Sequence, residues 1–322
     1  MGICKLVLHN HPSYICVVES VKKLIIIVGP TSVGKTSVAI RLAQQLETEI
    51  ISADSRQIYK ELEIGTAKPT PKELTTVKHH FINIKSVEED YDAGQFGRDA
   101  LALISELFKK FDRLILCGGS GLYVRAITDG FDEMPEIAEG VREKIIRDYE
   151  EKGLKWLQQQ VEASDPDYYS IVDRRNPQRL MRALELNYST GKTLDKLRKK
   201  NKLTHSFDIV KIGLELDREE LYHRIDKRMD AMIEAGLFDE AKHFYPQREL
   251  NALQTVGYQE IFGYFDGLYD KEEAIRLLKR NSRRYAKRQM TWFKKDKEVK
   301  WFSPDKIDVI INLVRDSKVK IE

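Results

Sequence analysis

The chain has 322 residues, of which 42% are hydrophobic and 33% charged, and its formal net charge is only +3. This composition allows one large hydrophobic core or two smaller ones. The three cysteines, Cys4, Cys16 and Cys117, are odd in number and form no C-x-x-C pair, which argues against a disulfide framework or a zinc site. No apolar run approaches the ~20 residues of a membrane span. We therefore expect a cytoplasmic protein without a membrane anchor, acting as a monomer.

Residues 1–22 precede the first strand pattern and are expected to form a tail without an assigned role. His9, His11 and Pro12 interrupt the apolar run in this segment, which argues against a signal peptide. Leu6 stands where N-myristoylation requires Ser or Thr, so this lipid anchor is not expected either.

Short apolar runs separated by helical patterns predict the strands of a mostly parallel sheet. The runs cover residues 23–28, 50–53, 79–84, 113–117 and 209–216. Strands that alternate with helices favour an α/β fold in which both faces of the sheet are covered. Because ligands bind at the carboxyl ends of the strands in such folds, the segments that directly follow strands are expected to converge. These segments are Gly29–Thr36, Asp54–Gln57 and Gly118–Gly121.

Residues 131–206 contain no strand pattern and are predicted to form an all-helical domain. This domain would be inserted between two parts of the α/β core, residues 23–130 and 207–322. Asn176 as N-cap and Pro177 at the first helical position give a clear helix start. The predicted helices cover residues 136–151, 154–163 and 177–189.

The charge of this predicted insertion is uneven along the sequence. Residues 131–173 hold 12 acidic and 5 basic side chains, whereas residues 174–205 hold 10 basic and 2 acidic ones. The basic part is the part that could bind a phosphate backbone.

Residues Gly29–Thr36 read GPTSVGKT, which matches the pattern G-x-x-x-x-G-K-[ST] between a strand pattern and a helical pattern. Successive backbone N–H groups and a helix N-terminus in such a loop bind anionic oxygens. Lys35 adds a positive charge, and the hydroxyl of Thr36 is placed to ligate Mg²⁺. The strand–loop–helix context makes this a specific prediction of a phosphate-binding loop.

The loop alone does not say whose phosphates are bound. Nucleoside triphosphatases of this class also use an Asp at the end of a second strand, but the strand at 113–117 runs into Gly118–Gly121. A carboxylate follows an earlier strand instead, at Asp54. This departure argues against a nucleotide hydrolase and leaves kinases and other diphosphate chemistry. Asp54 is a candidate general base, with helix capping or positioning of Mg²⁺ as alternatives.

Two further patterns concern anion binding. Arg224 and Arg228 lie four residues apart on one predicted helix, where they would form a diphosphate clamp opposite the loop. The alternative is a surface helix in which Asp226 and Asp230 neutralise both arginines.

The last long helical pattern, which Asp270 caps, is strongly basic. Residues 271–300 hold 12 basic and 4 acidic side chains, as expected for a surface that binds a nucleic-acid backbone. The alternative is an ordinary solvated face. The basic residues recur every three or four positions and are predicted to share one face: Lys279, Arg280, Arg283, Arg284, Lys287 and Arg288.

Six segments in this order resemble the bacterial tRNA dimethylallyltransferase family, and the resemblance covers roughly residues 23–302. The segments are GPTSVGKT, SADSRQIYKELEIGTAKP, GGSGLY, NPQRLMRALE, TVGYQE and AKRQMTWFK. The family uses a P-loop fold with a helical insertion and depends on Mg²⁺. It transfers a dimethylallyl group from dimethylallyl diphosphate to the adenine immediately 3′ of the anticodon. The resemblance therefore implies that the loop holds the diphosphate of the prenyl donor.

The resemblance also implies roles for individual residues. Lys35, Thr36, Asp54 and Arg228 would be catalytic, with Thr36 on the metal. The diphosphate would be held by Gly29, Pro30, Thr31, Ser32, Val33, Gly34, Lys35 and Thr36. Transfer RNA would contact Asp54, Ser55, Arg56, Gln57, Ser120, Arg142, Gln178, Arg179, Leu180, Met181, Arg182, Gln254, Thr255, Val256, Gly257, Tyr258, Gln259, Lys287, Arg288, Gln289, Met290, Thr291, Trp292, Phe293 and Lys294.

Two other functions remain open from the residues alone. A P-loop kinase for a small molecule or nucleoside would leave the basic helix unexplained. A non-catalytic RNA-binding protein would leave Lys35, Thr36 and Asp54 unexplained.

Overall fold

The computed structural model describes residues 21–132, 134–198 and 203–316. The predicted tail, residues 1–22, lies almost wholly outside the described residues. The chain divides into two compact units, one formed by Gly130–Leu203 and the other by the residues on either side of it.

The larger unit contains a parallel sheet of six strands in the order β3-β2-β4-β1-β5-β6. The sequence predicts this α/β class and the central strands correctly. The strands are β1 (Lys23–Val28), β2 (Ile50–Ser52), β3 (His79–His80), β4 (Arg113–Cys117), β5 (Asp208–Leu214) and β6 (Lys300–Phe302).

Helices cover both faces of this sheet and build the smaller unit. In the larger unit they are α1 (Lys35–Leu46), α2 (Pro71–Thr76), α3 (Ala93–Leu107), α4 (Gly121–Thr128), α9 (Arg218–Glu234), α10 (Leu237–Phe244), α11 (Tyr258–Phe265), α12 (Lys271–Phe293) and α13 (Ile307–Asp316). In the smaller unit they are α5 (Val141–Ser164), α6 (Pro166–Ile171), α7 (Pro177–Thr190) and α8 (Leu194–Leu197).

Strand β1 lies in the middle of the sheet and is buried on both faces. Leu24, Ile26 and Val28 pack into the core on one side, and Ile25 and Ile27 pack into the core on the other. A continuous β-branched run is what a strand with two covered faces requires. This burial holds the end of β1, and thus the loop at Gly29–Thr36, at a defined place.

Two edge elements differ from the prediction. The strand predicted at 79–84 is paired only at His79–His80, because Phe81 and Asn83 adopt left-handed φ values of +61° and +57° and turn the chain. Strand β6 was not predicted from the sequence. Its three residues pair with β5, and Gly213 of β5 leaves room for the ring of Trp301.

In the smaller unit, the first helix starts later than predicted, at Val141 instead of residue 136, after Gly140 with φ +74°. The break predicted between two helices, at 136–151 and 154–163, is confirmed, because Gly153 has non-helical backbone angles and divides α5 into two helical parts. The start of α7 is as predicted, since the side chain of Asn176 accepts a hydrogen bond from the Arg179 amide. This unit has its own hydrophobic core, between α5 and α7.

The predicted ends of the later helices are also confirmed. Gly236 follows α9 with φ +102°, and the Asp270 side chain caps α12 by accepting from the Glu273 amide. Among the described residues, no helix is long and apolar enough to cross a membrane.

The junction of β4 and β2 generates a stability prediction. A Cβ on Gly118 would lie 2.1 Å from the carbonyl oxygen of Ala53, so Gly118→Ala must push the ends of these strands apart. Overpacking of this kind costs about 1–3 kcal/mol in the free energy of unfolding, which urea titration measures.

Gly94→Ala in α3 is the matched control for this substitution. Its Cβ would meet the ends of two flexible side chains, the Asp92 carboxylate at 3.2 Å and the Arg98 guanidinium at 3.7 Å, so a shift of a few tenths of an ångström suffices. Equal unfolding free energies for the two variants would contradict the close contact at Gly118.

Candidate active site

The loop between β1 and α1 is shaped by backbone contacts. A side chain at Gly29 would meet the carbonyl oxygen of Leu214 at 2.6 Å, so only glycine fits. The Lys35 ammonium turns back into the loop and donates to the carbonyl oxygens of Gly29 at 3.0 Å and Pro30 at 2.8 Å. Burial lowers the pKa of Lys35 to about 8, and the nearby Asp54 carboxylate opposes this shift. The loop thus holds a half-buried cation that an anionic ligand would stabilise.

Arg228 is the second cation at this loop. Its guanidinium donates to the hydroxyl of Thr31 at 3.2 Å, and burial lowers its pKa while Asp54 opposes the shift. The predicted clamp of two arginines is only half correct. Arg224 instead pairs with Glu220 at 2.6 Å, one turn earlier on the exposed side of α9. A helix places residues four apart on the same side, but of these two arginines only Arg228 donates a hydrogen bond to the loop.

Asp54 lies directly after β2 and faces both cations. One carboxylate oxygen, Oδ1, accepts from the backbone amides of Arg56 at 2.9 Å and Gln57 at 3.4 Å. Within the described part of the chain, no hydrogen bond reaches the other oxygen, Oδ2. Asp54 therefore caps the following turn, as one alternative predicts, and still has an oxygen available for chemistry.

The three segments that were predicted to converge do so. The amide of Ser55 donates to the Ser120 hydroxyl at 2.9 Å, which joins the second segment to the third. The side chain of Gln289 accepts from the Thr31 amide at 2.8 Å and donates to the Gly119 carbonyl at 3.0 Å. Gln289 is only 6% exposed. It therefore joins the loop at Gly29–Thr36 to the segment after β4.

A cavity of about 400 Å³ lies at the carboxyl ends of the central strands. The loop residues, Asp54 and Arg228 line one side. The backbone of residues 65–67 lines another side, and the Gln57 side chain holds it by donating to the carbonyls of Thr66 and Ala67. The apolar part of the lining was not predicted from the sequence, because these residues follow the ordinary spacing of a buried helix face: Ile225, Met229 and Met232.

A second cavity of about 350 Å³ adjoins the first one. Three residues, Arg56, Tyr285 and Gln289, line both cavities and so form a common wall. Burial raises the pKa of Tyr285 to about 12, so its hydroxyl remains a proton donor. The rest of the lining includes seven aromatic, hydroxylic or basic residues, namely Ser55, Tyr91, Ser120, Tyr123, Arg288, Trp292 and Phe293.

Helix α12 does not present its basic residues on one face, as the sequence pattern predicts. Lys279 and Arg283 point inward and pair with Asp230 and Asp226 of α9, both at 2.6 Å. The exposed basic side chains of the helix do not include Lys279 and Arg283. In its second half they are Arg284, Lys287 and Arg288, and Lys294 and Lys295 follow directly after it; Lys271 and Arg276 are exposed near its start.

Several residues in the segments predicted to contact RNA are internal. Leu180, Met181, Tyr258, Gln289 and Phe293 are all buried. Thr255, Val256 and Gly257 line the first cavity, whereas Gln254 and Gln259 are exposed. The exposed members of the segment after Asn176 are Gln178, Arg179 and Arg182.

In the smaller unit, two of the predicted RNA-contacting arginines share one partner. The buried Glu185 carboxylate lies 3.1 Å from the Arg182 guanidinium and 3.7 Å from the Arg142 guanidinium. Both arginines are largely exposed. The carboxylate therefore holds two exposed cations side by side.

The chain matches a family model described as IPP transferase over residues 57–296. Curated relatives named tRNA dimethylallyltransferase include a protein of Cytophaga hutchinsonii, 50% identical over 91% of this chain and 96% of its own length. Another, from Christiangramia forsetii, is 49% identical over 88% of this chain and 93% of its own.

Solved structures agree with these relatives. A full-length tRNA isopentenylpyrophosphate transferase from Bacillus halodurans matches with a TM-score of 0.68 and 39% identity, covering 91% of this chain and 96% of that one. A eukaryotic dimethylallyltransferase acting on tRNA matches with a TM-score of 0.72 and 25% identity, covering 94% and 81%. The resemblance noted in the sequence is thus confirmed, and the chain belongs to the IPP transferase family.

Proposed function

We propose that this protein transfers a dimethylallyl group from dimethylallyl diphosphate to the exocyclic amine of an adenine in tRNA and releases diphosphate. The family and the names of its relatives support this reaction. We further propose that the adenine is the one immediately 3′ of the anticodon. A base in a loop is cheaper to extrude than a paired base, which suits this position.

One observation supports the proposal most directly: two cavities of different chemistry share a wall. The first contains the loop at residues 29–36 and two half-buried cations, and its apolar side suits a prenyl group. The second is aromatic and basic, and suits a nucleobase with its backbone. A donor in the first cavity and a base in the second would meet beside Asp54.

Side chains and backbone amides of this protein can accept the proton that the reaction releases and can stabilise the leaving group. A bond forms between the amine nitrogen and the first carbon of the prenyl group, and the bond from this carbon to the diphosphate oxygen breaks. Asp54 Oδ2 takes the proton that the amine loses. Lys35, Arg228 and the backbone amides of the loop stabilise the negative charge that develops on the diphosphate. Substrates that fill the cavity would exclude water from it and so protect the activated prenyl group from hydrolysis.

We propose Mg²⁺ as the cofactor. Within the described residues, no cluster of three or more His, Cys, Asp or Glu side chains could hold a metal ion. Magnesium usually takes most of its ligands from substrate phosphates and water, so the Thr36 hydroxyl beside a bound diphosphate fits this preference. When bound there, the ion would add positive charge at the leaving group.

The two alternative functions are less well supported. The relatives and solved structures described above carry the names of tRNA-modifying transferases and not of kinases. A kinase would also leave the exposed basic side chains of α12 unexplained. A protein that only binds RNA would leave the half-buried Lys35 and Arg228 without a ligand that offsets the cost of their desolvation.

The pH dependence of the reaction with dimethylallyl diphosphate should reflect the protonation state of Lys35. As pH rises through about 8, the ammonium loses its proton and no longer attracts the diphosphate. We therefore expect kcat/KM for dimethylallyl diphosphate to fall above pH 8, in initial-rate assays with unmodified tRNA.

Lys35→Arg is the control, because its guanidinium keeps its charge across this range. Its kcat/KM is expected to be lower overall but to lack the fall near pH 8. If both proteins lose activity in parallel above this pH, another group is responsible.

Asp54→Asn separates the two roles of this side chain. Asn retains an oxygen that can cap the turn, but it cannot accept the amine proton. We expect both substrates to bind and the single-turnover rate to fall by ~10²–10⁴-fold, as is typical for loss of a general base. Raising the Mg²⁺ concentration should not restore the rate. Recovery at high Mg²⁺ would show that Asp54 positions the metal, and a near-normal rate would show that it is only a cap.

The exposed basic residues of α12 should set the salt dependence of tRNA binding. Removing Arg284 and Arg288 together should weaken binding and lower the slope of log K against log[salt] by about 0.7–0.9 for each phosphate group that these side chains neutralise. The matched control is Arg283→Ala, whose guanidinium pairs with Asp226 inside the protein. Its slope should stay unchanged, and equal slopes for all three proteins would show that this face does not bind RNA.

A further inference from the structure

The carboxylate of Glu240, in α10, accepts four hydrogen bonds from two segments that are far apart in the sequence. It accepts from the backbone amides of Glu63 at 3.0 Å, Ile64 at 2.8 Å and Gly65 at 2.8 Å. It also accepts from the hydroxyl of Tyr258 at 2.6 Å. Each carboxylate oxygen accepts two of these bonds.

The arrangement is well suited to a carboxylate. Three successive backbone N–H groups form an anion-binding concavity, and here a side chain of the same protein fills it. Hydrogen bonds to an ionised acceptor are stronger than those between neutral groups. Burial, together with Glu240, raises the pKa of Tyr258, so its hydroxyl remains a donor.

The two segments are also in direct contact. A Cβ on Gly65 would lie 2.6 Å from the ring of Tyr258, so the ring packs directly against the backbone there. A glycine is required for this approach. Glu240 and this contact therefore hold the 63–65 backbone against the start of α11.

Both segments continue into walls of the first cavity, although Glu240 itself does not line it. Residues 65–67 form one wall, and Thr66 and Ala67 accept the hydrogen bonds that hold the Gln57 side chain. Residues 255–257, directly before Tyr258, form another wall.

We propose that Glu240 is a positioning residue for the prenyl donor. Its hydrogen bonds hold these two walls of the cavity together, so that the cavity fits the donor. The inference rests on the proposed function, since the ligand of this cavity is taken to be dimethylallyl diphosphate. In this proposal, Glu240 lies outside the cavity but keeps the cavity at the width that the donor requires.

Glu240→Gln tests the proposal, because it keeps the length of the side chain but turns one acceptor oxygen into an NH₂ group that faces two donors. We expect KM for dimethylallyl diphosphate to rise at least ~10-fold, with the dissociation constant for tRNA changed less than ~3-fold. In hydrogen exchange, the amides of residues 63–65 should exchange at least ~10-fold faster. Asp239→Asn, the neighbouring exposed acid on the same helix, should change none of these.

The readouts separate positioning from general destabilisation. A merely unstable variant has fewer active molecules, which lowers the apparent kcat but leaves KM for the donor unchanged. That result, or a wild-type KM in a folded Glu240→Gln protein, would overturn the proposal. If this variant fails to fold, Tyr258→Phe removes one of the four bonds and keeps the ring, and KM should then rise by ~3–10-fold. An unchanged KM in the folded Tyr258→Phe protein would then overturn the proposal.

The proposed function can fail independently. If the wild-type protein transfers no dimethylallyl group to tRNA, that function is wrong, and the clamp is then tested by hydrogen exchange at residues 63–65 alone. If the wild type is active and the exchange and KM values of Glu240→Gln match it, only the role of Glu240 is wrong.

Discussion

The buried side-chain amide of Gln289 is the contact on which the geometry of the site depends. It accepts from Thr31 in the phosphate-binding loop and donates to Gly119 after β4, so both of its polar atoms are satisfied. A buried amide that loses one partner becomes costly, which makes this bridge specific. The close approach also requires glycine nearby, since a Cβ on Gly119 would lie 2.3 Å from the amide nitrogen.

This bridge occupies part of the loop between β1 and α1. The Thr31 amide is occupied by Gln289, and the Thr31 hydroxyl is occupied by Arg228. The loop is therefore part of a shared wall with α12, and Tyr285, one turn before Gln289, lies between the two cavities. Because Lys35 and Arg228 are both half-buried near Asp54, positive charge exceeds negative charge among these three groups. An anionic ligand would restore the balance.

Much of the fold could be predicted because the signals are local. The bounds of β1 and β4, the Asn176 cap and the Gly236 helix end all follow from short runs whose backbone preference is strong. The elements that were missed or mispredicted depend on partners far away in the sequence. Strand β6 has three residues and forms only beside β5. The strand at 79–84 ends early where the backbone turns at Phe81.

The sequence by itself determined the phosphate-binding loop, the family, and the three segments that meet at the ends of the strands. Only the tertiary structure decided which charged side chains belong to the site. Arg224 and Arg228 look equivalent on a helix, yet Arg228 contacts the loop and Arg224 pairs with the exposed Glu220; likewise, Arg283 and Arg284 belong to one basic pattern, yet Arg283 pairs with Asp226 and Arg284 is exposed. The physical reason is that helical periodicity specifies which residues share a face, whereas the packing of α9 and α12 specifies what that face touches.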